Sequence, residues 1–260
     1  MQNNLQLTKQ SFTIIKQRKS LLIFPAIATT LTLILLYFIF NPVIHIEVIA
    51  WTTNQISAIH FAIFICAILL FFAFSHLITQ LFQAALTSCA IKHIQGETYS
   101  ILFGFKMMCS HFTKIFYWNF IMTTFGIGVV QMQYWMDNWR EKKFLDDLLS
   151  GLPWVIATTF VTPVLIKENL KTFAAIKKSA QLIKNTWDAP KFLRIKLGRT
   201  LSLIRIIAFI PLIIAIFVGI KKIILFASIF LIVVLICVHI LHAALRVITV
   251  SALYLFANKH

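Results

Sequence analysis

Two short polar stripes interrupt an otherwise apolar chain and hold the side chains best suited to chemistry. Their members are three or four residues apart, which places each set on one face of a helix. Imidazoles can hold or move a proton, amides and hydroxyls can hydrogen-bond a solute, and a guanidinium can bind an anion. The stripes consist of His76, Gln80, Gln83 and Thr87, and of His239, His242 and Arg246.

Each stripe lies in a long apolar segment that continues beyond the thickness of a bilayer. At about 1.5 Å per residue, His76 and His239 come roughly 25–30 Å from the outer ends of their segments. Both stripes are therefore predicted at the cytoplasmic boundary of the hydrocarbon, where neighbouring helices would form a polar vestibule. Ionisable side chains are energetically costly inside a membrane, so their presence there favours a functional role. The alternative is a pair of ordinary polar helix ends, with Arg246 extending to lipid phosphates.

The composition requires a membrane to solvate these segments. Of the 260 residues, 60% are hydrophobic and only 12% are charged, whereas soluble chains are roughly a quarter charged. We predict an all-α, polytopic membrane helix bundle that forms a single domain over residues 1–260. Six segments can cross about 30 Å of hydrocarbon, namely residues 21–40, 56–78, 115–135, 148–166, 201–220 and 223–245.

The distribution of charge predicts how the bundle is oriented. Of 24 Lys and Arg residues, 19 fall together with three acids on one predicted side, and the opposite side carries five bases and five acids. The formal net charge of +16 therefore belongs to one face of the protein. Because cytoplasmic loops are enriched in bases, that face is predicted to be cytoplasmic. An even number of spans then places both termini there.

The basic loop at residues 167–200 predicts an amphipathic cytoplasmic helix over residues 168–188. Its predicted apolar stripe consists of Leu170, Phe173, Ala180, Ile183 and Trp187. Such a helix can lie in the headgroup region with its apolar face in the membrane, or it can pack beneath the bundle as a connector. The candidate contacts with anionic lipid are Lys171, Lys177, Lys178, Lys184 and Trp187.

Several function classes are disfavoured by what the sequence lacks. It has no phosphate-binding loop, no dinucleotide glycine fingerprint and no nucleophile elbow. A metal at His239 and His242 would need a third ligand, and no residue is predicted to supply it, so no metal or cofactor is expected. No acid falls in a predicted span, which disfavours proton- or sodium-coupled transport. The bases interrupt apolar runs, which favours lipid over nucleic acid as their partner.

Several stretches resemble a family of uncharacterised bacterial integral membrane proteins, a domain of unknown function with six helices. They are Ser11–Pro25, Gly96-Glu97, Trp154–Ser179 and Ala252–Ala257. The resemblance covers most of the chain and supports the helical architecture. It implies a multi-pass protein of the bacterial cytoplasmic membrane, and it implies no activity.

Two functional hypotheses follow from these patterns. The first is an integral membrane protein of non-catalytic role, whose basic cytoplasmic face contacts anionic lipid or a partner. The alternative is a transporter or channel for a small anionic or amphipathic solute, with Arg246 anchoring the anion in the vestibule. A lipid-modifying enzyme using histidine ranks below both, because no second catalytic group is evident. The sequence leaves open a protein partner or a second copy of the chain.

Overall fold

The computed structural model describes residues 11–52, 58–126, 154–186, 206–218 and 220–258, and all regular structure in these ranges is helical. Residues 11–17 form a short helix, and a 3₁₀ turn over Lys19–Leu22 leads into the first long helix. A π-helical turn, Met122–Gly126, follows α4. The helices are α1 (Ile23–Thr52), α2 (Ala58–Ile94), α3 (Ile101–Ser110), α4 (Phe112–Ile121), α5 (Trp154–Ala157), α6 (Val161–Lys167), α7 (Thr172–Thr186), α8 (Ile210–Val218) and α9 (Lys221–Ala257).

Three helical segments in the described ranges are long and apolar enough to cross a membrane: Lys19–Ile49, Ala58–Ile94 and Lys221–Ala257. The all-α prediction is therefore confirmed, whereas the described residues provide three candidate spans rather than six. Residues 127–153, which hold much of the third predicted span and the start of the fourth, lie outside the described residues. The helices α2 and α9 have 37 residues each, or about 55 Å at 1.5 Å per residue.

One half of the long helices presents a continuous apolar surface, here called the apolar belt, over residues 31–49, 59–74 and 223–233. Phe38, Phe61 and Phe226 are each 68–71% exposed there. A soluble monomer rarely carries so large an apolar patch. Within the belt, α1 and α2 run antiparallel, and the rings of Phe40 and Phe71 lie 5.7 Å apart. The belt and the long apolar helices identify a membrane protein.

The other half of the molecule, here called the packed half, contains the core. It comprises the start of α1, the ends of α2 and α9, and α3 to α7. Phe24, Leu86 and Ile248 join α1, α2 and α9 in one buried cluster. A second cluster joins α5, α6, α7 and α9 around Phe160 and Tyr254. Each long helix therefore has one part with an exposed apolar surface and another part that is buried in the core.

The fourth predicted span does not continue as one helix through its described part. The chain turns at residues 158–160, between α5 and α6. The buried hydroxyl of Ser179 on α7 bridges this turn: it donates to the Ala157 carbonyl at 2.6 Å and accepts from the Phe160 amide at 3.0 Å. Pro163 occupies the first turn of α6, where its missing N–H has no helical partner to lose.

Two glycines allow the chain to fold back from α2 into α3. Gly96 has φ +79°, and the amides of Gly96 and Glu97 bond to the carbonyls of His93 and Lys92 at 3.1 and 2.9 Å. This is the Schellman arrangement that ends many helices. Gly104 then brings α3 close to α2, because a Cβ built there would lie 3.1 Å from the carbonyl oxygen of Ala85.

The predicted cytoplasmic helix forms, but its apolar face packs against protein. Ala180 and Ile183 are fully buried in the cluster with α5, α6 and α9, whereas Phe173 is 57% exposed. Three described members of the predicted stripe, Leu170, Ala180 and Ile183, therefore belong to or pack against the buried face, and Phe173 does not. That face consists of Thr172, Ala175, Ile176, Ser179, Ala180, Leu182 and Ile183. The connector alternative describes this packing better than insertion into headgroups.

Candidate binding cavity

A cavity of about 520 Å³, here called the polar cavity, lies where the apolar belt meets the packed half. The helices α2, α4, α5, α6 and α9 all contribute to its wall. It is lined by His76, Thr79, Gln80, Gln83, Thr87, Trp118, Met122, Trp154, Thr158, Thr159, Thr162, Pro163, Arg246, Val247 and Val250.

His76 is held by polar partners on both sides of its ring. Its Nδ1 lies 2.5 Å from Oδ1 of Asn119, and its Nε2 lies 3.5 Å from Nε2 of Gln80. Because the Asn119 oxygen can only accept, these contacts place a proton on Nδ1 and leave Nε2 to accept from Gln80. Asn119 is 6% exposed and also donates weakly to the Ala73 carbonyl at 3.5 Å. Both ring nitrogens are therefore engaged in positioning.

Among the described residues that line the polar cavity, one carries a formal charge, namely Arg246 with its guanidinium. Arg246 is exposed and has no ion pair or hydrogen bond with any residue that the structure describes. The Gln83 amide on the facing helix likewise has no hydrogen-bond partner in the described ranges. Neither Asp nor Glu is among the lining residues in the part of the chain that the structure describes. The wall therefore offers cationic and amide N–H donors without a competing carboxylate.

Two hydroxyls in the wall already donate hydrogen bonds to backbone carbonyls. Thr79 Oγ1 donates to the Ser75 carbonyl at 2.8 Å, and Thr158 Oγ1 donates to the Trp154 carbonyl at 2.7 Å. These hydroxyls can still accept a bond, but they cannot donate without breaking one. Thr79 and Thr158 therefore add no free donor to the polar cavity, whereas Arg246 and the glutamine amides supply N–H donors.

A second cavity, here called the apolar cavity, adjoins the first and has a volume of about 350 Å³. It lies between α1, α2 and α9 and is mostly hydrocarbon in character. Four residues line both cavities: His76, Thr79, Gln83 and Val247. The remainder of its wall consists of Pro25, Ala28, Thr29, Thr32, Leu33, Phe71, Phe72, Ser75, Phe82, Leu86, His239 and Ala243.

The structure brings together most of the polar residues singled out in the sequence. The whole α2 stripe and Arg246 of α9 line the polar cavity. His239 lines the apolar cavity instead, and His242 lines neither of the two. Of the candidate lipid contacts on or beside α7, Lys171 and Lys184 are exposed, and Lys177 and Lys178 are partly exposed. Trp187 lies outside the described residues.

Three residues of this site were not predicted from the sequence. Asn119 anchors His76, and Trp118 and Trp154 form a wall, with ring centroids 6.3 Å apart. Asn119 does carry a signal, because it is an isolated amide in the apolar run Ile115–Ile121. The pairing of the two tryptophans carries none, because 35 residues separate them in the sequence.

The described lining residues offer hydrogen-bond donors that an anion could accept. Arg246 and the glutamine amides can form charge-assisted and neutral hydrogen bonds to phosphate or carboxylate oxygens. The ring of His76, which also lines this cavity, contacts Asn119 and Gln80.

The model of a family of unknown function matches residues 61–260, which includes both polar stripes and all of α3 to α9. No curated protein and no solved structure matches the chain. The segment Ser11–Pro25, one of the stretches that carried the resemblance, precedes the matched residues.

Proposed function

The chain belongs to that family, DUF6159, and because the family has no function assigned, we propose one from the cavities: a non-catalytic integral membrane protein that binds a small anionic solute in the polar cavity. The observation that carries this proposal is the position of Arg246, opposite the amides of α2 and away from any lining carboxylate. This role corresponds to the solute-binding step of the transporter alternative.

The energetics of a cation at a membrane boundary support an anionic occupant. Arg246 is an exposed residue of α9 that lines the polar cavity. A guanidinium at a membrane boundary attracts a counter-charge, because its interaction with an anion is stronger there than in bulk water. Gln80 and Gln83 lie three residues apart on the facing helix and can bond to the remaining anion oxygens.

We further propose that the packed half faces the cytoplasm of a bacterial cell. In the described ranges the packed half carries twelve Lys and Arg against two acids, Glu97 and Glu168, whereas the belt end carries Lys221, Lys222 and Glu47. The positive-inside tendency favours this orientation. It also brings Lys171 and Lys184 close to anionic headgroups, which remain the predicted lipid partners of this face.

The orientation can be tested with two exposed lysines at opposite ends of the structure. In a background without the native cysteines, we expect Lys222→Cys to react with a membrane-impermeant maleimide in intact cells, because Lys222 begins α9 at the belt end. Lys184→Cys on α7 should react only after the membrane is opened. Labelling of both positions from the same side would contradict the proposed topology, and the cysteine-free parent reports the background.

Solute binding can be tested by removing the charge of Arg246 while keeping a polar side chain. We expect Arg246→Gln to weaken binding of inorganic phosphate and short carboxylates to the purified protein by about tenfold, because a charged hydrogen bond contributes about 1.5–3 kcal/mol. Equilibrium binding of radiolabelled phosphate provides the measurement. Arg246→Lys should retain more affinity than Arg246→Gln.

Lys106→Gln serves as the matched control. Lys106 is an exposed cation on α3 and lines neither cavity, so its removal changes the net charge equally without touching the site. If Lys106→Gln and Arg246→Gln weaken phosphate binding to the same extent, the attraction is a general effect of net charge and the proposed site is wrong. In reconstituted vesicles, uptake that falls with Arg246→Gln would extend binding to transport.

A further inference from the structure

The apolar cavity is open to the apolar belt. Two of its wall residues, Leu33 on α1 and Phe72 on α2, are 45% and 63% exposed and belong to the belt surface. In a bilayer this surface is covered by acyl chains. The apolar cavity is therefore accessible from the hydrocarbon, whereas the polar cavity lies toward the packed half.

The hydroxyl groups in the apolar cavity do not make it a polar site. Thr29, Thr32 and Thr79 each donate to a carbonyl one turn back in their own helix, at 2.7–2.8 Å, and Ser75 donates to the Phe72 carbonyl at 3.1 Å. With their protons engaged, these side chains offer mainly methyl and methylene surface to an occupant. His239 is an exposed polar member of the wall.

The walls of the two adjoining cavities change from apolar to polar and cationic. They adjoin at His76, Thr79, Gln83 and Val247. An occupant entering from the belt meets apolar wall first, then amides, and finally the guanidinium of Arg246. The individual volumes, about 350 and 520 Å³, each fall within the roughly 300–1,000 Å³ of ligand sites in proteins.

We propose that the two cavities together hold a single-chain amphiphile with an anionic headgroup, which enters from the bilayer. Its headgroup binds among Gln80, Gln83 and Arg246, and its chain lies in the apolar cavity toward Leu33 and Phe72. This inference rests on the proposed anion site and adds to it the class of solute. A carboxylate and a phosphate monoester share the required headgroup chemistry.

The experiment measures binding of radiolabelled hexadecanoate and hexadecyl phosphate to the protein in a non-ionic detergent. In Ala243→Phe, a ring replaces a methyl group in the apolar wall. We expect this variant to bind both amphiphiles at least about tenfold more weakly, because each buried methylene contributes to affinity, and to bind inorganic phosphate as the parent does. Tighter binding of one amphiphile identifies the preferred headgroup.

Two further variants keep the result interpretable. Leu33→Trp narrows the exposed opening and should weaken amphiphile binding even if Ala243→Phe fails to fold. Ala62→Phe makes the same substitution on the exposed belt surface of α2 and should leave all binding unchanged. If the folded cavity variants bind hexadecanoate as tightly as the parent, the chain site is wrong, while loss of phosphate binding in Arg246→Gln would still support the anion site. Equal affinity for hexadecanol and hexadecanoate would overturn the headgroup assignment.

Discussion

Gly104→Leu is expected to destabilise the packed half by more than about 3 kcal/mol, since overpacking alone usually costs about 1–3 kcal/mol and this site has no free space. A Cβ at Gly104 would lie 2.6 Å from Cζ of Phe24 and 2.8 Å from Sγ of Cys89. Both neighbours are fully buried, and the Phe24 ring packs on that of Phe105 at 5.4 Å. Neither side chain can withdraw without opening the cluster that joins α1, α2 and α9.

Thermal unfolding in detergent provides the measurement, and Gly104→Ala should show a smaller effect of the same sign. Alanine favours the helix over glycine by about 1 kcal/mol, so the clash has to exceed that gain. The carbonyl oxygen of Ala85, 3.1 Å from the added Cβ, is backbone and yields least. Lys106→Ala, on an exposed position of the same helix, is the control. A Gly104→Ala protein more stable than the parent would show that α3 can move away.

Tyr254→Ala is expected to lower the free energy of unfolding by about 3–5 kcal/mol, as for other large aromatic residues removed from a core. Tyr254 is fully buried, its ring lies 6.1 Å from that of Phe160, and its hydroxyl donates to Oε1 of Glu168 at 2.9 Å. It thereby joins the end of α9 to the turn between α6 and α7. Lys114 bonds to Asn169 in the same turn.

Tyr254→Phe separates the hydroxyl from the ring. We expect a loss of about 1.5–3 kcal/mol for the missing bond to a carboxylate, and the rest of the Tyr254→Ala effect for the ring. Phe226→Ala is the matched control, because it also removes an aromatic ring from α9 but at a position 71% exposed on the belt. If Phe226→Ala and Tyr254→Ala destabilise the protein equally in detergent, the α6–α9 contact contributes little.

The features that could be predicted from the sequence are those that depend on the local spacing of polar and apolar residues. The spacing of His76, Gln80, Gln83 and Thr87 places them on one face of any helix, and the apolar run around them is too long to be anything else. That α2 and α9 are neighbours was a hypothesis, and the structure places Arg246 across a cavity from the α2 stripe. Its role in binding stays a prediction.

The features that could not be predicted depend on contacts distant in sequence. The break between α5 and α6 needs Ser179 to satisfy the Phe160 amide and the Ala157 carbonyl, and hydropathy cannot report such a bond. Similarly, α7 has apolar residues on more than one side. Which of Phe173 and Ile176 becomes buried is decided by the surface that α5, α6 and α9 present, not by the helix itself.

The length of α2 and α9 gives the cavities a mechanical coupling to the membrane. Each helix is continuous from the belt to the core of the packed half, and its residues that line the polar cavity lie at or beyond its midpoint, toward the packed half. A helix whose apolar length exceeds the bilayer thickness responds to thinning by tilting. An unbroken helix tilts as a rigid rod. We therefore expect a change in bilayer thickness to alter the angle between α2 and α9. Lipid composition can therefore set the width of the site as well as supply its occupant.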